Sequence, residues 1–576
     1  MLQIIVNNQQ VDLLEDTEVS ITIEHPMFST DHIPVPYSTD IDLPLSPRNR
    51  MIFGFVDRPA RTAAFESLPA RILFAGLEIT SGEIKVSEVE ETITANYNGV
   101  MIPANVDKMA YRQNLGRIDF GASAVQVACN NYFIARTEEE YPDLVAAPVS
   151  IDARVAGEIV DGNTVTQVSA SAWINGYDES NGDYLPDQYR RDSHLNKILP
   201  AFRVGWLLDK LLDGRCVNNI FNTGEWRRLM ILSTWHPRYK PDDQSAVYDI
   251  DDQGNASLTL ADFMPKKAAN EIITELLKLP CASMYATGDS FTIELNRDIL
   301  DRKVIGDDWT GKVIGRVTIS EQEAQRYVAG YSQEDAELAA DLQVTDSDDI
   351  LHICSLNPTQ EIQPGTFNVA NTGQVIERIA ADDVTGVDFN VLQQRMSIKE
   401  EQDPDDDRSD YDMSFGGSVV TTNIGLHKST DNTYGQGHRW YYSPQIGEAV
   451  KERPENLLVA LYYGMCREIR WAARDFYNYP YLTHCNYDCR GNRLGDLSLS
   501  FTQTDGLATY HSAFKAWIER AHRMLKCKVH LNAVDLHNLD MRNKIMYKNK
   551  LYYISSITIN LRTLSIEPAE AELIEA

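Results

Sequence analysis

Apolar and polar residues alternate with a period of two along most of the first 118 positions. Leu2-Gln-Ile-Ile-Val6 pauses at Asn7-Asn8 and resumes through Val11. Val19-Ser-Ile-Thr-Ile-Glu24, Asp40 to Leu45, Arg71 to Phe74, Glu83 to Val86 and Thr92 to Tyr97 repeat the pattern between Gly, Pro and Asn turns. Such runs predict antiparallel strands closing a barrel or sandwich. Pro44 to Arg50, followed by Met51-Ile-Phe-Gly-Phe55, reads as a turn leading into a small apolar anchor. From about 119 to 196 the pattern weakens, and the polar runs Glu138–Asp143 and Asn175–Asp183 predict a loop-rich insertion.

The period changes further on. Phe202, Trp206, Leu208, Leu211 and Leu212 predict a helix ending near Gly214, with Leu229–Leu232 a short buried strand. Ala269, Ile272, Ile273, Leu276 and Leu277 then fall at i, i+3, i+4, i+7 and i+8, one apolar stripe of an amphipathic helix. Pro265 precedes it, Pro280 stops it, and a hairpin follows through Cys281–Ala286, the Gly288-Asp289 turn and Ser290–Leu295. This helix and hairpin, with Asp308-Trp309-Thr310 downstream, form a unit that must bury its apolar face on something larger.

Strands are expected again at Lys312–Ile319 and Arg326–Tyr331, and short strands with acidic loops from 332 to about 450. Further helices are expected near Asn456–Arg470 and Ala508–Met524, the second carrying Tyr510, Phe514, Trp517, Ala521 and Met524 on one face. A strand Cys527–Leu531 and a closing hairpin, Lys544–Tyr547 and Leu551–Ile559 around Lys548-Asn549-Lys550, complete the chain. The fold class expected is multi-domain α+β, predominantly antiparallel β in barrel- or sandwich-like domains, with amphipathic helical inserts. The segments expected are 1–118 (β-barrel-like), 119–196 (insertion), 197–335 (helix-plus-hairpin hub), 336–450 (β-rich with acidic loops) and 451–576 (α+β, ending in the hairpin).

Composition narrows the function. The 576 residues carry 53 Lys+Arg against 84 Asp+Glu, a formal net charge of −31, which argues against a nucleic-acid-binding surface. DNA can still pass an acidic wall without adhering. No run of about 18 apolar residues exists, so no transmembrane helix is expected. The N-terminus lacks a basic n-region and reads as the first strand of a protein folded in the cytoplasm. The eight cysteines are scattered, which suits reduced, packed thiols better than a disulfide framework.

Candidates for chemistry are few. His484-Cys485-x3-Cys489 has zinc-like spacing but no second pair, and Cys466 or His511 would complete it only through the fold. An ordinary loop is the better reading. The acidic run 400–412, with Asp405, Asp407 and Asp410, lacks the order of a calcium loop and suits a solvated loop better, as does Asp249–Gly254. No Gly-x-Ser-x-Gly elbow, His-Glu-x-x-His or P-loop is present. The clusters Arg439–Tyr442 and Tyr477–Tyr481 suit core or interface packing as well as a glycan platform. No catalytic, cofactor-binding or metal-binding residue and no cofactor is assigned.

Several stretches together resemble one family, the tail-tip or baseplate-hub proteins encoded in phages and prophages of Bacteroides-type bacteria. They are Val19–Phe28 with Ile41–Leu45, Arg48-Asn49-Arg50 and Phe53-Gly-Phe55; Phe202–Leu212 with Trp226–Leu232; and Ala268–Leu295 with Asp308–Val313. Pro480-Tyr481, Leu497–Ser500, Asp505–Leu507, Cys527–Asp540 and the closing hairpin follow in the same order. Residues 135–190 and 340–435 match least. The resemblance implies a non-enzymatic virion structural protein, a homo-oligomer with three copies as the family's usual count. Such a protein sits in the tail tip, joins the tail tube or distal-tail ring, tape measure and a fibre or spike, and lets DNA pass during ejection. The alternatives are a distal-tail ring protein of the same assembly, or a receptor-binding, glycan-binding or glycan-degrading tail protein.

Overall fold

The computed structural model describes residues 1–58, 65–99, 115–121, 125–147, 149–151, 200–232, 253, 255–265, 267–287, 290–332, 408–419, 457–469, 476–484, 486, 493–501 and 506–576, with short strands at 173–174, 177–178, 183–184, 249–250, 365–368, 374–378, 389–394, 427–428, 434–435 and 439–440. A 14-stranded sheet joins the two ends of the chain. The alternating N-terminal runs become the strands Leu2–Val6, Glu18–Glu24, Ile41–Pro44, Ser67–Phe74, Leu77–Val89 and Thr92–Gly99. Their inward residues, among them Ile4, Val19, Ile21, Ile72, Ile93 and Tyr97, are buried. Glu18–Glu24 lies antiparallel to the long strand Lys550–Arg562, from Glu18↔Arg562 to Glu24↔Ser556. Leu2 N also donates to Thr563 O at 2.8 Å. Strand pairing therefore crosses the segments 1–118 and 451–576.

The sequence predicts barrels, and the sheet is instead an open one that curls. Strands Ile305–Asp308, Lys544–Tyr547, Lys550–Arg562, Ala569–Glu575, His522–Val529 and Val313–Gln322 follow one another by hydrogen-bonded pairing. The first and last of these six are joined by residues 309–312 alone. Five peptide steps reach roughly 17 Å at most, whereas six flat strands would span about 24 Å. The sheet must therefore roll its ends together. Trp309 fills the link, buried, with its N–H on Met546 O at 2.8 Å. Thr310 Oγ1 accepts from Lys548 N at 2.9 Å, and Lys312 Nζ lies between Asp307 and Asp535. Among the described residues no ladder runs across the link, so the barrel stays unclosed.

A second, six-stranded sheet carries the clearest departure from the sequence pattern. Leu457–Ile469, expected as a helix, is a strand paired with Leu229–Leu232, Phe476–Thr483 and Gly417–Val419. A strand covered on both faces loses its alternation, and Leu457 to Tyr462 are all buried. Such a run cannot be told from a helix by periodicity alone. The expected helix 508–524 ends earlier, at Ile518, and Met524 lies in the strand His522–Val529. Leu536 sits in the short helix Ala533–His537. Within the stretch read as loop, Val125–Thr137 is a helix with Cys129 and Phe133 buried one turn apart.

Candidate functional site

The helix-plus-hairpin unit lies where the two ends of the chain meet. The helix spans Ala269–Lys278, and all five predicted apolar positions are buried. Glu271 Oε2 accepts from Ala268 N at 2.9 Å, satisfying an N–H just before the first turn. The chain reverses at Cys281 (φ 53°) and enters the hairpin Ala282–Thr287 with Ser290–Leu295 in the register Ala282↔Leu295 to Thr287↔Ser290. The Gly288-Asp289 turn lies outside the described residues. A third strand, Cys216–Asn218, pairs in parallel with the hairpin, and the helix Asn296–Asp301 follows directly.

Two buried histidines fasten this unit to its neighbours. His511, on the helix Ala508–Ile518, receives the Tyr327 hydroxyl at Nδ1 (2.6 Å) and donates from Nε2 to Leu279 O (2.9 Å). Burial lowers its pKa to about 4, so the ring is neutral and can act as donor and acceptor at once. His25 accepts from Met27 N at 3.1 Å, and burial likewise lowers its pKa to about 4. Its ring lies 4.8 Å from Phe28, 5.8 Å from Tyr285 and 5.9 Å from Tyr553, centroid to centroid. Phe28 stacks on Trp517 at 5.3 Å, and Trp517 on His522 at 4.0 Å. One aromatic cluster thus contains residues from the short turn Pro26–Phe28 and its cap, the hairpin, the C-terminal helix and the long closing strand. Opposite it, Glu294 accepts from Arg302 at 2.5 Å and from Arg542 at 2.9 Å.

Cys281, Tyr327 and His511 superficially form a nucleophile-and-base group, since Cys281 Sγ lies 3.7 Å from Tyr327 Oη. The chemistry does not follow. Burial pushes the thiol up to about 12, leaving it protonated and a poor nucleophile. Asn296 Nδ2 already contacts its sulfur at 3.6 Å, and both nitrogens of His511 are engaged. A neighbouring cavity of about 30 Å³, lined in part by Ser29, Thr274, Leu277, Ser283 and Met413, has room for about one water. The cluster is a clamp that holds three parts of the chain together.

The sequence's metal candidates are not brought together among the described residues. His511 faces Tyr327 and Leu279 rather than Cys466, which lies in the strand Leu457–Ile469. His484 is buried, while Cys485 and Cys489 lie outside the described residues, as do 400–407 of the acidic run. Of its remainder, Asp410 takes a two-pronged contact from Arg326 at 2.7 and 2.9 Å, and Asp412 accepts from Ser414 N at 2.8 Å. Those carboxylates serve a parallel strand pair, Arg326–Val328 with Asp410–Asp412. Among the described residues no group of three or more His, Cys, Asp or Glu is placed to hold a metal ion. No described helix is long and apolar enough to cross a membrane.

The surface offers a different kind of site. Val313–Gln322 ends the sheet path and, among the described residues, pairs on one side only, with His522–Val529. Its register breaks between Ile314 and Thr318 around Gly315, which has φ 68°. Ile314 and Ile319 are 41% and 66% exposed, and Val304 and Ile305 just upstream are exposed too. A ten-residue strand with an open backbone edge and apolar side chains is a template for pairing with another chain. The period-two pattern gave the strand, but nothing in it marked which strand would lie at the edge.

No family model and no curated protein matches the chain. Among solved structures it is similar to the 43 kDa tail protein of prophage MuSo2 from Shewanella oneidensis, at 7% identity and a TM-score of 0.31, covering 100% of this chain and 98% of that one. It is also similar to a tail protein from Neisseria meningitidis MC58, at 7% identity and a TM-score of 0.28, covering 100% and 96%. Both TM-scores lie below 0.5, and by themselves they establish neither a shared fold nor a shared role.

Proposed function

We propose that the chain is a non-enzymatic structural component of a phage tail tip or baseplate hub. In this reading it is an oligomeric ring subunit that joins the tail tube to the distal tip and lets DNA pass. The observation that carries the proposal is the open edge of Val313–Gln322 with Ile314 and Ile319 exposed along it. The bulge at Gly315 blunts the first part of this edge, and the run Thr318–Gln322 beyond it stays open for a neighbouring subunit to pair. The central unit supports the same role: its buried histidines, aromatic rings and ion pairs fix three parts of the chain as one body. A ring subunit needs that rigidity to pass load between neighbours. The net charge of −31 suits a wall past which DNA slides, since like charge keeps phosphates from adhering. The order of the tail-hub-like stretches along the sequence supports this assembly among those that use such edges.

Quantitative mass spectrometry of virions purified from a host that carries the gene tests the assignment. The chain is expected at a small, constant number of copies per particle. Its absence from intact virions would overturn the proposal.

A further inference from the structure

The apolar anchor at 51–55 takes no part in the clamp or the open edge, yet a dense set of hydrogen bonds holds it in place. Ser46 Oγ accepts from Asn49 N at 3.1 Å and donates to Asp12 Oδ2 at 2.6 Å. The fully buried Asn49 donates from Nδ2 to Asp12 O and Pro44 O, both at 2.9 Å, and accepts from Asp12 N at 2.9 Å. The short helix Pro47–Ile52 is thereby pinned to the sheet. Gly54 and Phe55 then turn through left-handed backbone, at φ 70° and 55°. For a bulky residue such as Phe55 that conformation is strained, and strain of this kind is kept where a side chain must be presented. Met51 and Phe55 stand 57% and 40% exposed, with the Arg58 guanidinium 4.3 Å over the Phe55 ring.

The charge of this knob is opposite to that of the molecule. Arg48 pairs with Asp12 at 3.0 Å and Arg50 with Asp57 at 3.2 Å, which leaves the Arg58 guanidinium over Phe55 as the uncompensated charge, 3 − 2 = +1, in a chain of net charge −31. Beside it lies an acidic counterpart. Pro44 pairs with Thr92, so the hairpin tip with Glu88, Glu90 and Glu91 sits at the same end of the sheet as the knob. These three carboxylates are exposed and form no ion pair among the described residues. A basic, apolar-tipped protrusion and an acidic tip side by side make one surface that is complementary to itself.

We infer that this surface is a contact between copies of the chain, the Met51/Phe55 knob of one copy seated on the Glu88–Glu91 tip of another. It deepens the proposed function by naming the partner at this face, and rests on that reading only for the copies being assembled in one particle. Buried aromatic and Met anchors supply the affinity, and the opposed charges set which surfaces meet.

Charge reversal on the full-length chain tests it by analytical ultracentrifugation. The variant Arg58→Glu and the variant Glu90→Lys/Glu91→Lys each place like charges on knob and tip, and each is expected to weaken self-association about tenfold or more. Mixed together they are expected to associate as tightly as the wild type, because each knob then finds an opposite tip. Phe55→Gly relieves the strained backbone, so it should hold or raise the melting temperature while weakening association; that separates loss of docking from loss of folding. Reversal variants that associate like the wild type, or a mixture that fails to recover, would overturn the inference while leaving the tail assignment standing. A monomeric wild type would overturn it too. So would a knob variant that keeps its oligomer but loses binding to a 20-base-pair duplex, which would make Arg58 a phosphate contact.

Discussion

His511 shows how one side chain can join distant parts of a chain. A neutral imidazole donates to Leu279 O and accepts from Tyr327, and only the neutral ring can do both. The pKa of about 4 held in the fold by burial lies below the unfolded value near 6.5, for His511 and for His25 alike. Above pH 6.5 both states are neutral and the two histidines add no pH dependence. Between 6.5 and about 4 the unfolded chain binds protons that the folded chain refuses, so stability falls with acid, by at most about 3 kcal/mol for each histidine. Denaturant midpoints should drop steadily from pH 7 to pH 4.5, and His511→Gln should flatten part of that slope. An unchanged slope in the variant would show that His511 does not contribute to it. The sequence offered no sign of this pairing, because Tyr327 and His511 lie 184 positions apart and a lone histidine on an apolar helix face looks the same whether or not it has partners. Clamp residues of this kind are legible only after the fold is known.

Among the elements, those with one buried face were the ones the sequence announced. Ala269–Lys278 carries its five apolar residues at helical spacing because one stripe faces the core, and each is buried. Leu276→Ala is therefore expected to cost about 2–5 kcal/mol through the cavity it leaves, measured by denaturant unfolding. Leu457–Ile469 hid its nature because both faces of its first half, Leu457 to Tyr462, are covered. The hairpin tip at Lys548 and Asn549 holds φ 50° and 62°, the paired left-handed geometry that Asn-Gly fills best. Lys548→Asn with Asn549→Gly should raise stability by about 0.5–1 kcal/mol, read as a shift in the unfolding midpoint. On the open edge, Ile314→Lys/Ile319→Lys removes exposed apolar surface and should change stability by no more than about 0.5 kcal/mol. The same variant should fail to enter virions when it replaces the wild-type chain. Normal incorporation would show that the edge is not a contact.

Over the whole molecule, the pattern of strands predicted an antiparallel β architecture with helical inserts, but not how its parts join. Alternation in Val19–Glu24 and in Leu551–Ile559 says that each is a strand; it cannot say that they pair with each other, more than 500 residues apart. Nor could it tell a closed barrel from a sheet whose rolled ends are joined only by the Trp309 link. His25, His511 and the surrounding rings fasten the described parts together, and the proposed contacts are an open strand edge and a basic knob beside an acidic tip. A place at the distal end of a phage tail is the central proposal. Negative-stain images of virions labelled with a gold-tagged antibody to this chain test that most directly. Gold is expected at the tail tip, on the tail axis; gold along the tail shaft or on the capsid would contradict the proposal.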